Sequence, residues 1–205
     1  MTGSLDGRTR ALAELSATLP RGRLAEIVEA LSSAAEAAGA EDVEEILLQA
    51  YLFVGFPTVL NAMVAWRELQ PVAADERDIG DPAVWRERGE SLCRRVYGPA
   101  YERLRHNVQR LHPALDRWMV EEGYGKVLSR TAVDEVTREV CVVALLSAAG
   151  HERQLHSHLL GALNVGAEMQ MVREAMDIGL ARATDAADAP QLERLWQRIR
   201  RSGCS

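Results

Sequence analysis

Glutamate and histidine side chains recur at helical spacing in one apolar stretch of this 205-residue sequence. Glu139 lies near the start of a predicted helix, and His151, Gln154 and His158 follow at spacings of three and four residues, so these three share one helix face. A carboxylate beside an imidazole can hold or transfer a proton near neutral pH, where histidine titrates. The same side chains could equally form a buried ion pair without any chemistry.

Two helices joined by a short break must position these side chains. The apolar run 140–149 ends at Gly150, and a second helix is predicted from His151. So short a connection permits only an antiparallel pair of helices. Glu139 lies eleven residues before Gly150 and His158 eight residues after it, so contact directly or through one water is predicted. We expect the pair to border a small, largely apolar pocket.

The stretch 137–166 resembles the carboxymuconolactone decarboxylase and alkylhydroperoxidase D superfamily. In the peroxidase branch a Glu is followed, after eleven intervening residues, by Cys-x-x-Cys-x-x-x-His and then by x-x-x-Ala-x-x-x-Gly. Glu139 and His158 match the Glu and the His, and Ala162 and Gly166 match the Ala and the Gly. The segments 122–130 and 39–57, the latter ending in Gly-Phe-Pro, resemble the decarboxylase branch, as do Asp134 and the Arg138-Glu139 pair. The resemblance covers about half of the chain.

The redox cysteines of the peroxidase branch are absent here. His151 and Gln154 occupy their positions, and Cys93 and Cys141 lie elsewhere without a Cys-x-x-Cys pattern. Such scattered cysteines are typical of free thiols in a reducing compartment. An alkylhydroperoxidase-like thiol peroxidase is therefore the least favoured of three functions.

The resemblance implies an enzyme without a cofactor, a decarboxylase or related lyase that acts on a small carboxylated lactone or organic acid. The alternative is a non-catalytic oligomeric or ligand-binding protein that retains the fold. Members of the family are commonly trimers or hexamers, so a homo-oligomer is also implied.

Six residues are the candidates for the site. Glu139 and His158 are the predicted catalytic residues, with His151 third. The predicted substrate-binding residues are Tyr124 between two glycines, Phe56 in the wall between two lobes, and Arg138, which could hold a carboxylate by a bidentate contact. Glu139, His151 and His158 could in principle bind zinc or iron, but no tight ligand motif supports this, so no metal is predicted.

Composition and charge limit the classes of binding partner and the cellular compartment that are expected. A formal net charge of -6 argues against a general nucleic-acid surface, so a small-molecule substrate is expected. No apolar run is expected to reach the ~20 residues that cross a bilayer. Residues 1–10 are polar and lack a signal-peptide core. The sequence therefore predicts a cytoplasmic protein with no membrane association.

The chain is predicted to be an all-α helical bundle, because no stretch alternates with the period of a strand. Three regions are predicted: residues 1–70, a helical lobe resembling the C-terminal part of the family unit; 71–111, a helical connector; and 112–205, the lobe with the core motif. The triplet 39–41 recurs at 166–168. This order fits a circularly permuted or partly duplicated unit, although so short an identity also arises by chance. Gly123 and Gly125 are predicted to end a helix, and 55–57 to form a corner.

Overall fold

The computed structural model describes residues 3–71, 81–183 and 188–202. Within these ranges the regular elements are helices and no strand occurs, so the all-α prediction is confirmed. The α-helices are α1 (Gly7–Thr18), α2 (Leu24–Ala38), α3 (Ala40–Leu69), α4 (Pro82–Tyr97), α5 (Tyr101–Leu111), α6 (Pro113–Trp118), α7 (Glu135–Ala149), α8 (Glu152–Asn164), α9 (Met169–Leu180) and α10 (Asp188–Ser202). A 3-10 turn (Gly98–Ala100) precedes α5, and a π-helix (Met119–Leu128) follows α6.

Aspartates begin three of these helices. The side chains of Asp6, Asp81 and Asp134 accept hydrogen bonds from backbone N–H groups in the first turns of α1, α4 and α7. Each cap satisfies a donor that the helix cannot satisfy itself, an effect typically worth about 1 kcal/mol. Pro82 and Pro113 occupy first helical positions, where the missing N–H costs nothing.

Two glycines set the turns on which the site depends. Gly150 ends α7 in the left-handed region (φ 73°, ψ 23°), and α8 begins two residues later, as the predicted hairpin requires. Gly55 has φ 77° and kinks α3 at the predicted corner. Both conformations favour glycine, because a Cβ atom would crowd the backbone there.

The prediction that Gly123 and Gly125 end a helix is wrong. The chain continues through both of them as the π-helix. The reason lies in packing: a Cβ on Gly125 would come within 1.8 Å of the carbonyl oxygen of Trp85, and one on Gly89 within 2.0 Å of that of Val120. The two glycines let the backbones of α4 and the π-helix touch.

One hydrophobic core joins α1, α2 and α3 to the helices from α7 to α10. Leu12, Leu47, Leu145 and Trp196 belong to it, so residues from the predicted 1–70 and 112–205 regions are buried together. A smaller cluster lies between α4, α5 and the π-helix. The predicted region boundaries and the permuted order remain predictions, and residues 72–80 of the predicted connector lie outside the described residues.

The expectation that no apolar run is long enough to cross a bilayer is wrong for helix α3. By length and composition alone it could cross a membrane, with an 18-residue window of mean hydropathy 1.6, and 33% of that window is buried within the protein. Among the described residues no other helix passes this test. The kink at Gly55 divides the helix, and the part after it exposes a row of apolar side chains: Phe56, Leu60 and Val64.

Candidate active site

Glu139 and His158 form a buried pair between α7 and α8. Nδ1 of His158 lies 2.8 Å from Oε2 of Glu139, so the contact predicted from the hairpin is confirmed. The two residues are only 3% and 6% exposed. The apolar surroundings strengthen a hydrogen bond of this kind, because water does not compete for it.

The imidazole of His158 is held from a second side by an aromatic ring. Phe53 on α3 meets it edge-on, with ring centroids 5.6 Å apart. When Nδ1–H donates to Glu139, the other nitrogen, Nε2, carries the lone pair that can accept a proton. No described residue forms a hydrogen bond with Nε2. This arrangement suits a base or acid whose reacting nitrogen is oriented by a carboxylate.

Gly161 brings the backbone of α8 against the carboxylate. A Cβ at this position would lie 3.0 Å from Oε2 of Glu139 and 2.6 Å from Cγ1 of Val96 on α4. The missing side chain of Gly161 therefore lets both the Glu139 carboxylate and Val96 lie close to the backbone of α8. A larger residue at position 161 would push against both.

Two tyrosine hydroxyls lie on the α4 side of the pair. Tyr124 donates to the hydroxyl oxygen of Tyr97 at 3.1 Å, and the rings meet edge-on. Burial raises the pKa of both phenols above the usual value, and the nearby charge of Glu139 raises each pKa further. Both are therefore neutral donors. Tyr124 was predicted to line a substrate pocket, but it is 4% exposed.

His151 and Phe56 do not contact the Glu139–His158 pair. His151 precedes the first residue of α8, with non-helical backbone angles and an exposed side chain, so it does not continue the helix face of His158. Phe56 is 60% exposed and stacks on Tyr51 at 4.8 Å. The aromatic contact to His158 comes instead from Phe53, on the other side of the Gly55 kink.

Arg138, predicted to bind substrate, serves a different cluster. Its guanidinium is 2% exposed and lies 2.7 Å from Oε2 of Glu45 on α3. It also donates to Gln49 and to the carbonyl oxygens of Arg130 and Val133. With its donors engaged inside the protein, Arg138 acts as a tie between α7 and α3 and is not placed to hold a substrate.

Glu45 is the centre of that cluster. It accepts hydrogen bonds from Arg138 and from Arg130, whose Nη2 lies 2.7 Å away. Burial alone would raise the pKa of Glu45, but the hydrogen bonds from these two arginines outweigh burial and lower its pKa below the usual value. Glu45 is thus ionised and paired at neutral pH.

The pocket that was predicted to border the pair does not coincide with the well-formed grooves of the described surface. Four such grooves have volumes of 630, 470, 610 and 150 Å³, and neither Glu139 nor His158 lines any of them. The lining of the 470 Å³ groove includes Val96, which lies close to Gly161, and Tyr97, whose pKa is raised in part by the charge of Glu139.

The thiols within the described residues are poor nucleophiles. Cys93 and Cys141 are free and buried. Burial raises the pKa of each to about 12, so almost no thiolate exists at neutral pH. Among the described residues no cluster of three or more His, Cys, Asp or Glu side chains is arranged to hold a metal ion.

Several residues of these clusters were not found from the sequence: Phe53, Tyr97, Glu45 and Gln49. Glu45 and Gln49 carried a signal, since polar residues four apart in an otherwise apolar helix face one way and indicate buried partners. Phe53 and Tyr97 carried none, because their contacts depend on how distant helices pack.

Comparison with known proteins finds a family match that covers the motif region. A model of the carboxymuconolactone decarboxylase family matches residues 113–192, which include Tyr124, Glu139 and His158. This match confirms the resemblance inferred from the motif. A similar protein is "Peroxisomal protein 2" of Schizosaccharomyces pombe, which is 29% identical over 142 residues, 67% of this chain and 67% of that protein.

Proposed function

We propose that this chain, whose residues 113–192 match a model of the carboxymuconolactone decarboxylase family, is an acid–base enzyme: a decarboxylase or related lyase for a small carboxylated lactone or organic acid. The observation that carries the proposal is the 2.8 Å contact between Nδ1 of His158 and Oε2 of Glu139. A carboxylate fixed on one ring nitrogen leaves the other to exchange a proton with a substrate.

The chemistry that this pair supports is the return of a proton to carbon. Loss of CO₂ breaks a carbon–carbon bond and leaves its electron pair on the carbon beside a carbonyl or lactone, as an enolate. The Nε2–H of protonated His158 gives its proton to that carbon, and Glu139 stabilises the imidazolium before the transfer. Positioned proton transfer typically contributes about 10²–10⁴-fold to a rate.

A non-catalytic protein with the same fold is the second candidate. The observation that favours it is burial: Glu139 and His158 are 3% and 6% exposed, and none of the four grooves described above is lined by them. In that case the pair would be a structural tie between α7 and α8. A thiol peroxidase is disfavoured by the high pKa of about 12 at Cys93 and Cys141.

Assembly and location are part of the proposal. We infer a homo-oligomer, a trimer or hexamer, whose contacts use the exposed row of Phe56, Leu60 and Val64 on α3. These residues are four apart and form one apolar helix face. Exposure of such a face to water is unfavourable, so it is a candidate contact surface. A cytoplasmic location, a small-molecule substrate and the absence of nucleic-acid and membrane partners remain predictions from composition, and fractionation of cells would test the location.

The decisive experiment measures CO₂ release from a panel of small carboxylated lactones and 3-oxo acids. The wild type should release CO₂ from at least one of them, and both Glu139→Gln and His158→Gln should lower kcat by about 10²-fold or more. His106→Gln is the matched control, since His106 is an exposed histidine on α5 and should leave the rate unchanged. Full activity in His158→Gln would overturn the proposal.

A further inference from the structure

A groove of 470 Å³ lies where α4, α5 and α8 meet, in the size range of small-molecule sites. Its lining comprises Val96, Tyr97, Pro99, Ala100, Arg103, Leu104, Asn107, His156, Ser157, Leu160 and Asn164. The walls are tied together, because Asn164 near the end of α8 donates to the carbonyl oxygen of Val96 at 2.8 Å. The groove is therefore part of the packed structure.

The polar side chains of the groove are basic or neutral. Its lining contains no Asp or Glu, although the chain has 30 acidic against 24 basic residues. Arg103 and His156 face it from α5 and α8, with the amide of Asn107 and the hydroxyl of Ser157 beside them. Arg103 forms no ion pair with a described carboxylate. An arginine that is unpaired among the described residues and shares a groove with neutral donors suits a carboxylate.

The remaining lining is apolar and leads toward the buried pair. Tyr97, Leu104 and Leu160 offer rings and aliphatic surface. Val96 and the Glu139 carboxylate both lie close to Gly161, and the hydroxyl of Tyr97 accepts a hydrogen bond from that of Tyr124. Val96 thus belongs both to the groove lining and to the surroundings of Gly161 and Glu139.

We propose that this groove binds a small organic anion, with its carboxylate on Arg103 and His156 and its apolar body against Tyr97, Leu104 and Leu160. The site goes beyond the proposed function, because Glu139 and His158 do not line this groove and the anion would bind there whether or not the pair is catalytic. Arg103 and His156, which the sequence did not single out as substrate residues, take the role that had been predicted for Arg138.

Benzoate and its neutral isostere benzamide test this proposal in the full-length protein. Titration calorimetry, with ligand-observed NMR for the weakest cases, should show benzoate binding to the wild type at roughly 1 mM and benzamide at least about tenfold more weakly. Arg103→Gln should weaken benzoate binding about tenfold or more, as should Asn107→Asp, which places a carboxylate in the groove. Arg194→Gln, which removes an exposed arginine of α10 outside the groove lining, should bind like the wild type.

The outcomes separate this proposal from the proposed function. Benzoate binding that persists within threefold in Glu139→Gln, together with the loss in Arg103→Gln, supports the groove whether or not the pair is catalytic. Normal CO₂ release in His158→Gln would contradict only the catalytic proposal. No binding of benzoate to the wild type, equal binding of benzamide, or an unchanged affinity in Arg103→Gln would overturn the groove.

Discussion

Arg138 and Glu139 are neighbours in the chain, yet they bind partners on two different helices that pack against α7. Arg138 lies 2.7 Å from Glu45 on α3, while Glu139 lies 2.8 Å from His158 on α8. Successive residues of an α-helix point about 100° apart, so one helix can serve two neighbours at once. Every residue of 137–148 is buried, and α7 therefore determines where both clusters stand.

The stability of His158 variants distinguishes a catalytic pair from a structural one. His158→Gln should keep the free energy of unfolding within about 1 kcal/mol of the wild type, because the amide can still donate to Glu139. His158→Ala should stay in the same range if the pair serves catalysis. Urea denaturation measures both, and a loss of about 3–5 kcal/mol in His158→Ala would identify a structural pair.

Glu45→Gln should be strongly destabilising, by about 3–5 kcal/mol. The substitution removes the carboxylate that neutralises Arg138, whose charge is then left in the protein interior. Glu135→Gln is the control, since its ion pair with Arg95 is half exposed and should be worth no more than about 1 kcal/mol. Equal losses in the two variants, measured by urea denaturation, would show that Glu45 is not the centre of a buried network.

The same carboxylate predicts a pH dependence with a definite sign. The pKa of Glu45 is lowered in the folded protein from its usual 4.5. Its contribution is thus fully present above pH ~4.5 and is lost as pH falls through the lower folded-state pKa. The difference in unfolding free energy between wild type and Glu45→Gln should shrink steadily below pH ~4.5. A difference that stays constant down to pH 3 would contradict the paired state of Glu45.

Peroxide chemistry should be absent. Cys93 and Cys141 are buried thiols with a pKa of about 12, and neither has a partner cysteine within the described residues. With a thiol reductant present, peroxide consumption should not exceed background, and Cys141→Ser should not change it. Robust turnover that disappears in Cys141→Ser would restore the peroxidase hypothesis. Cys204 lies outside the described residues, so the assay is best repeated in a Cys204→Ser background.

The exposed row on α3 should hold the oligomer together. Light scattering should show a mass larger than one chain for the wild type, and Leu60→Asp should lower it, because a buried carboxylate is costly at an apolar contact. Leu111→Asp is the matched control: Leu111 is 78% exposed at the end of α5 and should not affect the mass. A monomeric wild type at micromolar concentration would refute the oligomer.

The sequence by itself determined the helical class, the hairpin and the Glu139–His158 contact. These follow from local rules: apolar periodicity, a left-handed glycine at position 150 and similar distances of the two residues from the turn. Sequence reasoning failed where a residue's role depends on distant helices. Arg138 was predicted to bind substrate, but its guanidinium is paired with Glu45 on α3. Gly125 was predicted to end a helix, but it lies inside the π-helix, where the backbone of α4 packs against it.

Only the tertiary structure decided what surrounds the pair. Phe53 contacts His158 from more than a hundred residues earlier in the chain, and Tyr97, Arg103 and His156 line one groove because α4, α5 and α8 converge. Spacing along one helix shows which side chains share a face, but it carries no information about which other helix covers that face. That choice is made by the packing of the whole core, and so the groove became visible only in three dimensions.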